Sequence, residues 1–314
     1  MKLGFLTGCL NTTIEDKIIY ASQVGFQTVE VSCWPVNNNR DYSGSDIDVE
    51  NLTDEDAGNI ITMCEKNGIE ISSLAYYDNM LHPDITIRQS YHKHLKSVIR
   101  AAQKLNVRLV GTFVGKNQSI SLSENFELYQ NIFSEFVEYA ESHNVKLMIE
   151  NCPMPGWQED GLPATISYSP EFWDEMFRLV PSKSLGLNFD PSHLHWLQID
   201  YMDCIEKYND RIFHVHAKDC ILDRKSFSKY GVFGKKLNRQ SHEDLGWFTP
   251  KIPGLGDISW HAFVSKLRQV GYDGVVSIEH EDRDFCKNND EVKLGLEYSF
   301  NHLNPLVNGF GVHK

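Results

Sequence analysis

Residues Gly186–Trp196 read GLNFDPSHLHW. The segment starts as an apolar strand, then turns polar at Asp190 and carries His193 three residues later. An apolar strand that ends in a carboxylate is what a parallel β-structure shows where its strands deliver side chains to a site. The same form recurs along the chain: MIEN presents Glu150, HVHAKD presents His216 and Lys218, and VVSIEHED presents Glu279.

Working outward, strand patterns alternate with helix patterns. Strands are expected at Leu3–Gly8, Thr28–Trp34, 69–77, 107–115, 145–151, 185–190, Ile212–Asp219 and Gly274–Asp282. Helices are expected near 12–26, 53–68, Ile85–Asn106, Ser123–Asn144, 169–180, Tyr201–Tyr208, 258–272 and Asp290–His302. Thr53 followed by Asp-Glu-Asp is an N-cap with an acidic first turn. Eight such units predict an α/β protein, a (β/α)8 TIM barrel with its site at the C-terminal ends of the strands. A doubly wound open sheet is the rival, but LTGCLNTTIED lacks the GxGxxG fingerprint expected after its first strand. No Pro/Gly/Ser-rich linker divides the chain, so one domain over 1–314 is expected.

The 314 residues are 41% hydrophobic and carry a formal charge of −13. That charge opposes extended contact with nucleic acid and favours a small-molecule substrate. Seven scattered cysteines without a CxxC pair argue against a zinc ribbon or a disulfide scaffold. The opening MKLGFLTGCL is a poor signal peptide, and no run approaches the roughly 18 apolar residues of a membrane span. The expectation is a soluble, cytoplasmic protein that does not bind a membrane.

Strand alternation places Asn188 with Asp190, His214 with His216 and Ser277 with Glu279 on common faces. Glu150, Asp190 and Glu279 gathered at one barrel mouth would repel one another and lose hydration unless a counter-charge sat among them. With His216 they form a mostly oxygen site for one divalent ion. The donors suit Mn2+, Mg2+ or Co2+ more than structural zinc, and Zn2+ stays open as well. His193 can reach over the same mouth as a substrate contact or an extra ligand, while His214 lies one layer deeper. Glu30 is either a carboxylate supporting the ligands or a partner of Lys218. His92 and His94, on a helix beside lysines, are expected to be solvated.

Together MIENCP, GLNFDPSH, HVHAKD and GLGDISWHAFVSKLRQVGYDGVVSIEHED resemble the xylose-isomerase-like TIM-barrel family of sugar isomerases and epimerases, over essentially the whole chain. The resemblance implies that Glu150, Asp190, His216 and Glu279 bind one Mn2+-like ion. It also makes Glu150 and Glu279 the acid/base pair for proton abstraction alpha to a carbonyl through a metal-stabilised enediolate. His193 is carried over as substrate-binding, and Lys218, Trp34 and Arg224 are added as substrate contacts. Relatives include ketose 3-epimerases, hydroxypyruvate isomerase, inosose dehydratase and endonuclease IV, so beta-elimination on a keto-sugar or 3-keto-glycoside is the alternative to isomerisation.

An insertion at about 220–256, basic and aromatic in an acidic chain, departs from the best-known members. It is expected to form a lid contacting substrate through Arg224, Lys229, Lys235, Lys236 or Trp247. A three-zinc endonuclease needs further histidines on the third and fourth strands, where SSLAYYDN and GTFVGK have none. A non-catalytic sugar-binding protein would have no need of both glutamates. The partners implied are a carbohydrate substrate and a second copy of the chain, with room for a small accessory subunit like that of keto-glycoside-cleaving relatives.

Overall fold

A computed structural model describes residues 1–37, 44–155, 163–241 and 244–309. Eight parallel strands close into a barrel: β1 (Lys2–Leu6), β2 (Thr28–Ser32), β3 (Glu70–Ala75), β4 (Leu109–Thr112), β5 (Lys146–Glu150), β6 (Leu185–Phe189), β7 (Ile212–Ala217) and β10 (Val275–Ile278), with β1 pairing β10 to complete the ring. The expected (β/α)8 TIM barrel in a single domain is the architecture found. Strands β2 and β6 are buried along their whole length, which is why they read as apolar runs.

Helices α1 (Ile14–Val24), α2 (Asp54–Asn67), α3 (Ile85–Lys104), α4 (Leu122–Ser142), α5 (Pro170–Leu179), α7 (Tyr201–Lys207), α9 (Trp260–Gln269) and α10 (Asn289–Asn308) connect or follow the strands. Thr53 with Asp56 and Ser121 with Glu124 form capping boxes that satisfy the first amides of α2 and α4. No helix among the described residues is long and apolar enough to cross a membrane.

Two features went unread in the sequence. A short helix, α6 (Pro191–Trp196), follows β6 directly, with Asp190 as N-cap and Pro191 at its first position. The insertion is not a bare loop either. It contains an antiparallel ribbon of β8 (Asp219–Leu222) and β9 (Phe248–Lys251) and a helix α8 (Arg224–Tyr230).

The insertion has a small core of its own, in which Trp247 and Leu245 bury against Trp196 of α6, with Phe227, Tyr230 and Phe248 around them. Its return to the barrel is fixed by buried Asp219, which accepts bonds from Gly254 N–H (3.1 Å), Ile258 N–H (3.0 Å) and Trp260 Nε1–H (2.8 Å). A Cβ on Gly256 would lie 2.1 Å from Asp219 Oδ1, so this close approach admits only glycine.

His92 and His94 correct the expectation of solvated side chains. His94 is buried, its Nε2 bonded to the Cys33 carbonyl (2.7 Å), and His92 Nε2 bonds the Met80 carbonyl (2.8 Å). Both occupy the inner side of α3, where a ring nitrogen can satisfy a loop carbonyl that no strand reaches.

Candidate active site

At the C-terminal mouth the ladder carries the four predicted polar groups upward. Glu150 pairs in register with Asn188, Asn188 with His214, and His216 with Ser277. Asp190 and Glu279 therefore stand two residues beyond the level of their neighbours' partners, and strand tilt brings such stepped residues together around the barrel axis. One ligand atom from each of Glu150, Asp190, His216 and Glu279 lies within 4.8 Å of all the others, and all four residues are buried.

Asp190 divides its two oxygens between structure and site. Oδ1 accepts the Ser192 amide (2.7 Å) to cap α6, whereas Oδ2 makes no hydrogen bond and faces Lys218 Nζ at 3.2 Å and His193 Nε2 at 3.3 Å. His193, one turn into α6, takes the Trp196 indole N–H on Nδ1 (3.3 Å), so its Nε2 points at the carboxylates, 3.3 Å from Asp190 Oδ2 and 3.6 Å from Glu150 Oε1. Buried polar atoms that face charges without a hydrogen bond of good geometry call for a bound ion or ligand. Three carboxylates and an imidazole aimed at one point fit a divalent cation.

The His216 ring shows two distinct sides. Nδ1 lies 3.3 Å from Glu150 Oε1 and 3.2 Å from Glu279 Oε2, while Nε2 lies 2.9 Å from Glu30 Oε2. Glu30 thus supports the ring from behind, and its partner is His216 rather than Lys218. Its other oxygen accepts the Tyr77 hydroxyl (2.9 Å), which in turn receives a bond from the Asn188 amide (2.6 Å). His214, below, is held by Asn188 Oδ1 (3.0 Å) and Ser72 Oγ (3.2 Å). A carboxylate behind a ligating imidazole fixes its tautomer and raises its basicity. Register shifts at Val29/Glu30 and Leu187/Asn188 mark β-bulges beside this network, which re-aim side chains where a regular ladder would not.

The neighbouring charges favour the ionised form of each group. Burial would push the Glu150 and Glu279 carboxyls up. His193 and His216 bonds hold Glu150 well below its ordinary value, and the Lys218 charge holds Glu279 below its own. Burial would pull His216 down, yet the charges of Glu30 and Glu279 raise it well above its ordinary value. The cluster carries surplus negative charge and favours any cation offered to it.

Above it lies a cavity of about 370 Å3. Glu150, His193, Lys218 and Glu279 line its floor, and Trp34, Tyr77, Phe113, Trp196 and Phe248 line its walls. Of the expected substrate contacts, His193, Lys218 and Trp34 line this space. Arg224 does not: it opens α8 on the exposed side of the insertion, and Arg283 provides the guanidinium at the rim. Within the insertion, Trp247 is buried in the small core and Lys235 pairs with Asp244 (3.2 Å); Phe248 and Thr249 of β9 form part of the cavity lining.

The sequence reading missed Cys152, Tyr77 and Glu281, all of which line the cavity. Each had a signal. Cys152 and Glu281 stand two residues past Glu150 and Glu279 and so share their faces, and Tyr77 ends the third strand segment.

The family described as the xylose isomerase-like TIM barrel matches residues 18–302. An uncharacterised protein of Methanocaldococcus jannaschii, MJ1311, is 28% identical over 209 residues, 65% of this chain and 61% of that protein. The match therefore spans less than two thirds of that relative's length. Inosose dehydratase of Mesomycoplasma hyopneumoniae is 23% identical over 250 residues, 76% of this chain and 77% of the relative. Among solved structures, the IolI protein with a bound zinc atom superposes with a TM-score of 0.72 at 17% identity, covering 99% of this chain and 100% of that one. The 3-keto-D-glucoside 4-epimerase YcjR of E. coli superposes with a TM-score of 0.66 at 13% identity, covering 96% and 99%. At these identities the structural likenesses show the fold.

Proposed function

The chain belongs to the xylose isomerase-like TIM-barrel family, and from that premise we propose that it is a divalent-metal-dependent sugar isomerase or epimerase that removes a proton alpha to a carbonyl. The observation that carries this reading is the convergence of Glu150, Asp190, His216 and Glu279 within 4.8 Å, with Glu150 and Glu279 lining a cavity that aromatic rings also line. A divalent ion held by these four residues, Mn2+ first among the choices, supplies Lewis-acid stabilisation of the negative charge that develops on the substrate's oxygens.

The rest falls to the chain's own side chains. Glu150 and Glu279 reach the substrate from different strands, so one takes the proton from carbon as a carboxylate, while the other returns a proton in its carboxylic acid form, having drawn that proton from solvent, a contribution of about 100-fold to 10,000-fold. His193 Nε2–H and the Lys218 ammonium face the same floor and hold the substrate's oxygens while the carbon acid ionises. The aromatic walls and the insertion keep bulk water from the deprotonated carbon.

Beta-elimination shares this first step and differs only in the second, in which the electron pair left on carbon expels a substituent at the beta position. The inosose dehydratase likeness favours that second reading. Both are tested by incubating ketoses, inososes and 3-keto-glycosides in D2O with Mn2+ and following the spectra of substrate and product. Solvent deuterium in recovered sugar signals epimerisation or isomerisation, and an unsaturated product signals elimination. Glu279→Gln should abolish either signal in a folded protein; undiminished exchange would remove Glu279 from the chemistry.

A further inference from the structure

Lys218 is the buried cation of the cluster, and its position is unusual for a substrate contact. It follows β7 on the same face as His214 and His216, so its side chain runs into the barrel mouth. Its Nζ lies 2.8 Å from Glu279 Oε2, 3.2 Å from Asp190 Oδ2 and 3.4 Å from Glu281 Oε2. Two of these carboxylates belong to the four-residue cluster, and Glu279 Oε2 is also the oxygen that faces His216 Nδ1 at 3.2 Å. Glu281 lies outside the cluster and is partly exposed.

We propose that Lys218 is a tethered competitor of the divalent ion: it shares Asp190 and Glu279 with the metal site and withdraws toward Glu281 as the ion binds. The inference rests on the metal-dependent reading above and adds a control on metal affinity to it. The charges support it. Glu30, Glu150, Asp190 and Glu279 carry four negative charges, and with His216 neutral a divalent ion and an ammonium together leave only one of them unbalanced. Either cation alone leaves the site more negative. Without the ion, Lys218 keeps three buried carboxylates from repelling one another apart. With it, the ammonium moves outward to the substrate's side, where Glu281 anchors it. The exchange makes the metal weaker-bound and more readily exchanged than the four ligands alone would make it, and it couples ion binding to the placement of a substrate contact.

The test is metal affinity, measured by calorimetric titration of Mn2+ into chelator-stripped full-length protein. Lys218→Met removes the competitor and should tighten Mn2+ binding by about tenfold or more, since a single and a double positive charge ~5 Å apart repel by that much even at water's dielectric constant. Lys218→Arg keeps the charge and should bind close to wild type. A lysine that merely supported the site's structure would give the opposite sign, because its loss would disorder the ligands and weaken binding. If Lys218→Met is too unstable to strip, exposed Glu281→Gln supplies the second test. It should weaken Mn2+ binding severalfold by leaving Lys218 on Asp190 and Glu279, read directly against wild type. Unchanged or weaker binding in Lys218→Met, or unchanged or tighter binding in Glu281→Gln, overturns the inference while leaving the functional reading standing. A wild-type chain that binds no divalent ion overturns both.

Discussion

Glu30→Gln isolates the support behind His216. Glu30 is fully buried and accepts bonds from His216 Nε2–H at 2.9 Å and from the Tyr77 hydroxyl at 2.9 Å. Burial alone would raise its carboxyl above the ordinary 4.5, but the His216 charge and these bonds lower it to about 2. That displacement corresponds to ~3 kcal/mol of stability in the metal-free protein at neutral pH. Because the folded value lies below the unfolded one, the stabilisation is complete above 4.5 and is lost as the pH falls toward about 2.

The amide variant keeps the shape and removes the charge. Urea unfolding of stripped protein should show a deficit of ~3 kcal/mol near neutral pH that shrinks below 4.5. Metal affinity should fall by about 10-fold to 100-fold, as is usual when a carboxylate behind a ligating histidine is lost. A Glu30→Gln protein that binds Mn2+ as tightly as wild type and unfolds at the same urea concentration would refute this reasoning.

Two further perturbations separate the barrel from its roof. Asp219→Ala orphans the buried donors of Gly254, Ile258 and Trp260 and should cost about 3 kcal/mol or more by urea unfolding, with Asp219→Asn costing less. Trp247→Ala empties the insertion's small core; limited proteolysis should then cut within 220–256 while the barrel stays intact, and KM should rise with metal affinity within about threefold of wild type.

The barrel was legible because its strands are buried on both faces and end at polar residues, so the apolar runs and their terminal carboxylates stand out without any knowledge of contacts. Asp190 was legible as a polar strand end, but its second task was not taken from the sequence, although Asp-Pro opening a helix is a recognisable start. One carboxylate thus serves both as helix cap and as part of the charged cluster. His92 and His94 were misread because neighbouring lysines suggested an exposed face, whereas only the packing of α3 on the barrel decides which side of a helix turns inward. The partners of Glu30 and Lys218 were open for the same reason. Strand periodicity fixes which face a side chain takes, but not which of several charges across the barrel it meets. In the insertion, composition led to the expectation of a lid, and its ribbon went unread because it depends on pairing between residues about 30 apart, as in Asp219 with Lys251.

The central claim is that the cluster of Glu150, Asp190, His216 and Glu279 holds one divalent ion. Native mass spectrometry of gently purified protein, incubated with Mn2+ and then with Zn2+, tests it before any substrate is known. One tightly held ion per chain is expected in wild type and none in folded Asp190→Ala; no ion in wild type, or the same occupancy in the variant, would contradict the claim.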